Sequence, residues 1–294
     1  MDAVNPSASP TLASKTPLHV GALGLVVRDI ERVAAFYRNV LGLALISRDE
    51  KTVRLGTDGL VLVELLHRPE APPDDKHSAG LYHTAFLMPT RADLARWVLH
   101  IARERVPITG ASDHGVSEAF YLDDPEGNGV EVYADRAPET WKWTEGLVSM
   151  PTKRLDVEDL LSATAPESSF DEAPAGLRVG HIHLRVGDLA LAESFYSGVI
   201  GLDLTRRRDG AAFMSSGHYH HHVAGNVWHS AGAGARDLNR AGLTWFSLIA
   251  SDLPGLRARL DAAGVPLTTT AEGLETADPW GTPLRIRSGD QSPR

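Results

Sequence analysis

The apolar positions in LGLVVRDIERVAAFYRNVLGL, residues 23–43, change period part-way along. They begin by alternating, as the two faces of a half-buried strand require, and then move to helical spacing through the Phe-Tyr pair. Short apolar runs separated by Gly and Asp follow, the pattern of further strands. One strand, one helix and several more strands are expected. The same order returns in IHLRVGDLALAESFYSGVIGL, residues 182–202. There Leu25, Val27, Asp29, Phe36, Tyr37, Val40, Gly42 and Leu43 match Leu184, Val186, Asp188, Phe195, Tyr196, Val199, Gly201 and Leu202 without a gap.

A weaker repeat follows each copy. AGLYHTAFLM from Ala79 resembles AGLTWFSLIA from Ala241, and DDPEGNGVEVY from Asp123 resembles ADPWGTPLRIR from Ala277. Self-similarity of this kind marks duplicated structural units. Four units result, at roughly 19–68, 80–135, 179–229 and 241–288. The expected organisation is a flexible tail (1–18), units one and two (19–135), a linker (136–178), units three and four (179–288) and a short tail (289–294). The linker is rich in Pro, Ser and acids, with one short helix expected at LDVEDLL.

Composition narrows the partners. A chain of 294 residues, 43% apolar, can bury a large core, and its length suits about two domains. No apolar run approaches the ~18 residues that span a bilayer, and the opening residues lack the apolar core of a signal peptide, so the cytoplasm is the expected compartment. The net charge of −9, with no basic block, argues against nucleic acid and anionic membrane and leaves small molecules as partners. With no cysteine, any metal must be held by His, Asp or Glu. SGHYHHHVAGNVWH, residues 216–229, carries five of the 13 histidines. On a strand, His220 and His222 would share one face and His221 would take the other.

LGLVVRDIERVAAFYRNVLGL together with DPEGNGVEVY resembles the vicinal oxygen chelate superfamily, over nearly the whole chain apart from tail and linker. The resemblance implies an α+β fold of four βαβββ units forming two cupped mixed β-sheet modules. Metal ligands would come from the first and last strands of paired units. The first-strand position holds Ala22, His83, His181 and Trp245, and the last-strand position holds Glu64, Glu131, the His220–His222 cluster and Arg285. Pairing units two and three gives His83, Glu131 and His181, a two-histidine, one-carboxylate set suited to Fe(II), with Mn(II) as the alternative cation. Pairing one with two, or three with four, leaves a gap in the set.

SDHGVSEAFYLDDPEGNGVE further resembles the signature of extradiol, catechol-cleaving dioxygenases, and the chain as a whole looks most like the catechol-2,3-dioxygenase-like branch. That implies Glu131 on the metal, Tyr121 and His114 at the substrate oxygens, and a histidine of the partner unit, His220 or His222, as acid/base. A neutral histidine can accept a catechol proton and return it as the ring opens. The substrate implied is a small aromatic diol, with O2, and a homodimer follows by analogy. Two other readings stand beside this one. A glyoxalase-like isomerase would use Zn(II), Ni(II) or Co(II) and bring Glu64 in as base, and a metal-free binding protein would use neither. Gly127 and Gly129 read as a hairpin turn, and Trp141 and Trp143 carry no chemical signal.

Overall fold

A computed structural model describes residues 11–289, so residues 1–10 and 290–294, parts of the expected tails (1–18 and 289–294), lie outside the described residues. Unit one runs β1 (Leu18–Val27), α1 (Ile30–Leu41), β2 (Ala44–Arg48), β3 (Thr52–Thr57) and β4 (Leu60–His67). Unit two repeats the order as β5 (Gly80–Leu87), α2 (Arg91–Arg103), β6 (Gly110–Asp113), β7 (Ser117–Asp123) and β8 (Gly129–Asp135). The linker forms a small hairpin, β9 (Trp143–Thr144) and β10 (Leu147–Val148), and the helix expected near LDVEDLL, α3 (Val157–Leu161). Unit three is β11 (Arg178–Arg185), α4 (Leu189–Glu193), β12 (Asp203–Arg208), β13 (Ala211–Ser215) and β14 (Val223–Asn226). Unit four is β15 (Gly242–Ala250), α5 (Leu253–Ala262), β16 (Thr268–Thr270), β17 (Gly273–Ala277) and β18 (Pro283–Ser288).

The repeated residues explain why each unit folds alike. The recurrent Asp after the first strand is a helix N-cap: Asp29 accepts from the Arg32 amide at 3.0 Å and Asp188 from the Leu191 amide at 2.7 Å. Asp252 does the same at α5, and Thr90 serves at α2. Gly42 ends α1 at φ +68°, a left-handed position where a side chain is strained. The Asp-Pro loop is an Asx turn in both copies, with Asp124 and Asp278 each accepting two backbone amides. Tyr196 of unit three donates to Asp278 of unit four at 3.0 Å, so the repeated Tyr ties one unit to another.

The strands form two eight-stranded sheets, β16-β17-β18-β15-β1-β4-β3-β2 and β12-β13-β14-β11-β5-β8-β7-β6. The first joins units one and four and the second joins units two and three, so the two halves of the chain interleave in space. Antiparallel pairs of first strands, β1 with β15 and β5 with β11, occupy the centres, where His183 faces His83 in register. One face of both sheets buries into a continuous apolar core with the helices, through Leu25, Tyr37, Trp97, Phe86, Ile182 and Phe246. The other faces are cupped.

Residues 11–18 and the linker depart from the expected tail and spacer. Leu12–Lys15 forms a 3-10 turn with Ala13 buried, and Trp141, Val148 and Met150 pack with Leu87, Tyr133 and Phe213 on the cupped face of the second sheet. Apolar residues scattered through a polar stretch anchor it once a matching concave face exists, a partner that the local sequence does not reveal. No helix among the described residues is long and apolar enough to cross a membrane.

Candidate metal centre

The second cup holds a cavity of about 530 Å³, within the range of small-ligand sites. His83 enters from β5, Glu131 from β8 and His181 from β11, all three buried, with one donor atom of each within 4.8 Å of the others. Register puts them there: Glu131 pairs with Ala85, two residues along from His83, while His181 pairs with that same Ala85 from the other side. Glu131 Oε2 lies 3.0 Å from His83 Nε2 and 3.1 Å from His181 Nε2. Yet His83 Nε2 has no partner in hydrogen-bonding geometry and is a buried orphan. His181 Nε2 hydrogen-bonds Glu131, but a third converging donor left without a partner is what a shared cation would resolve.

Protonation agrees with that fit. Burial alone would raise the Glu131 carboxyl, but the His181 and His83 imidazoles outweigh it and hold it well below the usual carboxylate range. Burial pushes His181 down to about 4, against the pull of Glu131. At neutral pH the cluster presents a carboxylate and a neutral His181 imidazole, the forms that bind metal. Two imidazoles and a carboxylate suit Fe(II), Mn(II) and Zn(II) alike.

His114 and Tyr121 line the same cavity. His114 Nδ1 donates to the Pro151 carbonyl at 2.9 Å, leaving Nε2 to accept from the Tyr121 hydroxyl at 2.8 Å. Burial, reinforced by Glu131, pushes the Tyr121 phenol well above its ordinary value, so it keeps its proton.

The histidine cluster is arranged differently from expectation. His221 lines the cavity, and His220 and His222 do not. His222 is fully buried, with Nε2 donating to the Ala13 carbonyl at 3.0 Å and Nδ1 accepting from Ser215 at 2.9 Å. Its role as acid/base is therefore corrected: both nitrogens are engaged against residues 13–16 and Ser215. His220 sits behind His221, its Nε2 donating to Asp135 Oδ1 at 2.9 Å. Its Nδ1 is then the acceptor for His221 Nδ1–H at 2.8 Å. The chain Asp135–His220–His221 leaves Nε2 as the unprotonated nitrogen of His221, whose ring lies 4.0 Å from that of His181. The reason is local. Gly217 and His218 both take left-handed φ, at +62° and +59°, which breaks the strand before the triplet. β14 begins only at Val223, and Ala224 occupies the ladder place opposite His183 that Glu64 takes opposite Gly24 in unit one.

These features can be set beside known proteins. The family model described as Glyoxalase/Bleomycin resistance protein/Dioxygenase superfamily matches residues 18–132 and 178–282. The chain belongs to this superfamily. Within it, the chain is 36% identical over 269 residues to a catechol-2,3-dioxygenase of Bacillus subtilis (strain 168), covering 89% of this chain and 94% of that protein. It is 25% identical over 172 residues to a biphenyl-2,3-diol 1,2-dioxygenase of Rhodococcus globerulus, covering 54% of this chain and 90% of that one. Glyoxalase I from Zea mays shares the fold, with a TM-score of 0.58 at 16% identity over 94% of both chains.

Several lining residues of this superfamily member were not singled out from sequence. His183 lies on the same face as His181, as the alternation in HIH allows, and accepts from the Asn226 amide at 3.0 Å. Burial, then His83 and His181, holds it neutral. Arg206, Arg208, Phe213 and Trp228 come from unit three, and Met150 and Thr152 come from the linker.

Proposed function

We propose that this chain is an extradiol-type dioxygenase that opens a catechol-like ring with O2 on Fe(II) held by His83, Glu131 and His181. The observation that supports it most is the juxtaposition of that ligand set with His221, whose free nitrogen is fixed by Asp135 and His220. Fe(II), when bound there, would let electron density pass between a singlet substrate and triplet oxygen, which react poorly unaided.

The chain's own residues do the rest. His221 would accept a proton from one hydroxyl as the diol binds and return it as the ring opens. Tyr121, its hydroxyl proton held by His114 Nε2, offers its oxygen to accept a hydrogen bond from a substrate hydroxyl. Phe213, Tyr82 and Trp228 provide apolar faces for the ring. Cleavage of the carbon–carbon bond beside the diol places one oxygen atom in a carboxylate and the other in an aldehyde, a muconic semialdehyde-type product.

The isomerase reading required Glu64 as a second carboxylate. Glu64 stands in the other sheet, 2.7 Å from Arg54, which removes that base from the site. The test is anaerobic loading with Fe(II), followed by oxygen uptake and absorbance of the ring-opened product on a panel of catechols. One mole of O2 consumed per mole of diol supports the proposal, and no uptake with any catechol overturns it.

A further inference from the structure

The rim of the same cavity carries two cations that the chemistry above does not use. β12 runs along one edge of the second sheet, away from the ligand strands β5, β8 and β11 at its centre. Arg206 and Arg208 line the cavity from this edge, while Arg207 between them turns outward and pairs with Glu193 at 2.9 Å. Among the described residues neither inward arginine has a carboxylate within salt-bridge distance, and Asp123, the acid on the opposite wall, reaches neither. Arg206 Nη1 reaches only the Val148 carbonyl at 3.5 Å and its Nε is buried without a partner; Arg208 Nη1 meets Thr152 Oγ1 at 3.2 Å. A guanidinium held at a cavity wall without a counter-ion is a matched site for a planar anion.

We infer that the preferred substrate is a catechol bearing a carboxylate on a short side chain, its diol at the His83–Glu131–His181 floor and its carboxylate between Arg206 and Arg208. The inference rests on the dioxygenase reading for the use of the site. The lining supports that polarity: the His/Glu/His set lies on the central strands, the two arginines lie on the edge strand, and Phe213 and Trp228 line the same cavity.

The test compares a dihydroxyphenylacetate with an ethylcatechol, similar in size but uncharged, by kcat/KM and by calorimetric Kd on the Fe(II)-loaded protein under anaerobic conditions. The wild type should favour the carboxylate on the order of tenfold or more, as one to two charge-assisted hydrogen bonds imply. Arg206→Gln with Arg208→Gln should bring the ratio close to unity, the double lysine variant should keep part of it, and Arg207→Gln should leave it unchanged. Equal use of both diols by the wild type, or a preference that survives the double glutamine variant, overturns the inference. Carboxylate-selective binding without turnover would sink the dioxygenase reading, and the substrate inference with it, leaving only the arginine pair as an anion site, whereas turnover without charge selection would uphold that reading and overturn this inference.

Discussion

The two cups of this molecule share a scaffold and differ in what fills it. The places held by His83, Glu131 and His181 in the second sheet are held by Trp245, Arg285 and Ala22 in the first, by the repeat and by register. The cavities are of similar size, about 530 and 610 Å³. In the first, Trp245 lies against Gly24, where a Cβ would come within 2.1 Å of its Nε1, and donates to Glu64 at 3.3 Å. Arg285 stacks over the indole with its Cζ 4.0 Å from the ring centroid. Where the second cup has the carboxylate of Glu131 the first has a cation, and where it has His83 the first has a packed indole. Duplication preserves the fold because strands, caps and core repeat, whereas chemistry survives only where every ligand does.

The contrast can be broken or sharpened by substitution. The largest effect should come from His221→Gln, which removes the free nitrogen beside the second cup's ligands. A loss of roughly 10²- to 10⁴-fold in kcat is expected from stopped-flow or oxygen-electrode rates. Asp135→Asn should produce part of that loss with a shifted pH–rate profile, while His222→Gln should stay within a few-fold of wild type. A His222→Gln loss as large as that of His221→Gln would refute the assignment. In the first cup Trp245→Ala should cost about 3 kcal/mol in urea unfolding, the low end for a buried aromatic because the ring borders an open cavity, with metal content unchanged.

The smallest effect concerns acid stability. Burial holds His222 down to about 3, well below its ordinary 6.5. Between those values the unfolded chain takes a proton that the folded chain refuses, so stability falls as pH drops through that window. His222 contributes a slope of at most ~1.4 kcal/mol per pH unit. Urea midpoints from pH 7 to 4 should therefore decline less steeply in His222→Asn than in the wild type.

Much of this was legible in the chain itself. The gapless match of residues 23–43 to 182–202 carried the unit, its Asp caps and its Gly stop, because those are local requirements. His83, Glu131 and His181 were legible because equivalent positions in a repeat can be compared. His221 was not: parity along HYHHH holds only on a strand, and Gly217 and His218 in left-handed conformation reset it. Met150 and Thr152 were hidden for a different reason, since a linker's role depends on the concave face that it meets. The inward arginines of TRRR were present as an alternating pattern whose direction only the curl of β12 towards the cavity supplied.

The central claim, that one cup holds a metal and the other does not, is tested most directly by metal analysis of protein purified anaerobically. Wild type, Glu131→Gln and Glu64→Gln would be compared by mass spectrometry after loading with Fe(II). Near-stoichiometric iron in the wild type and in Glu64→Gln, with loss in Glu131→Gln, is the expected result. Iron retained in Glu131→Gln, or lost in Glu64→Gln, would contradict it.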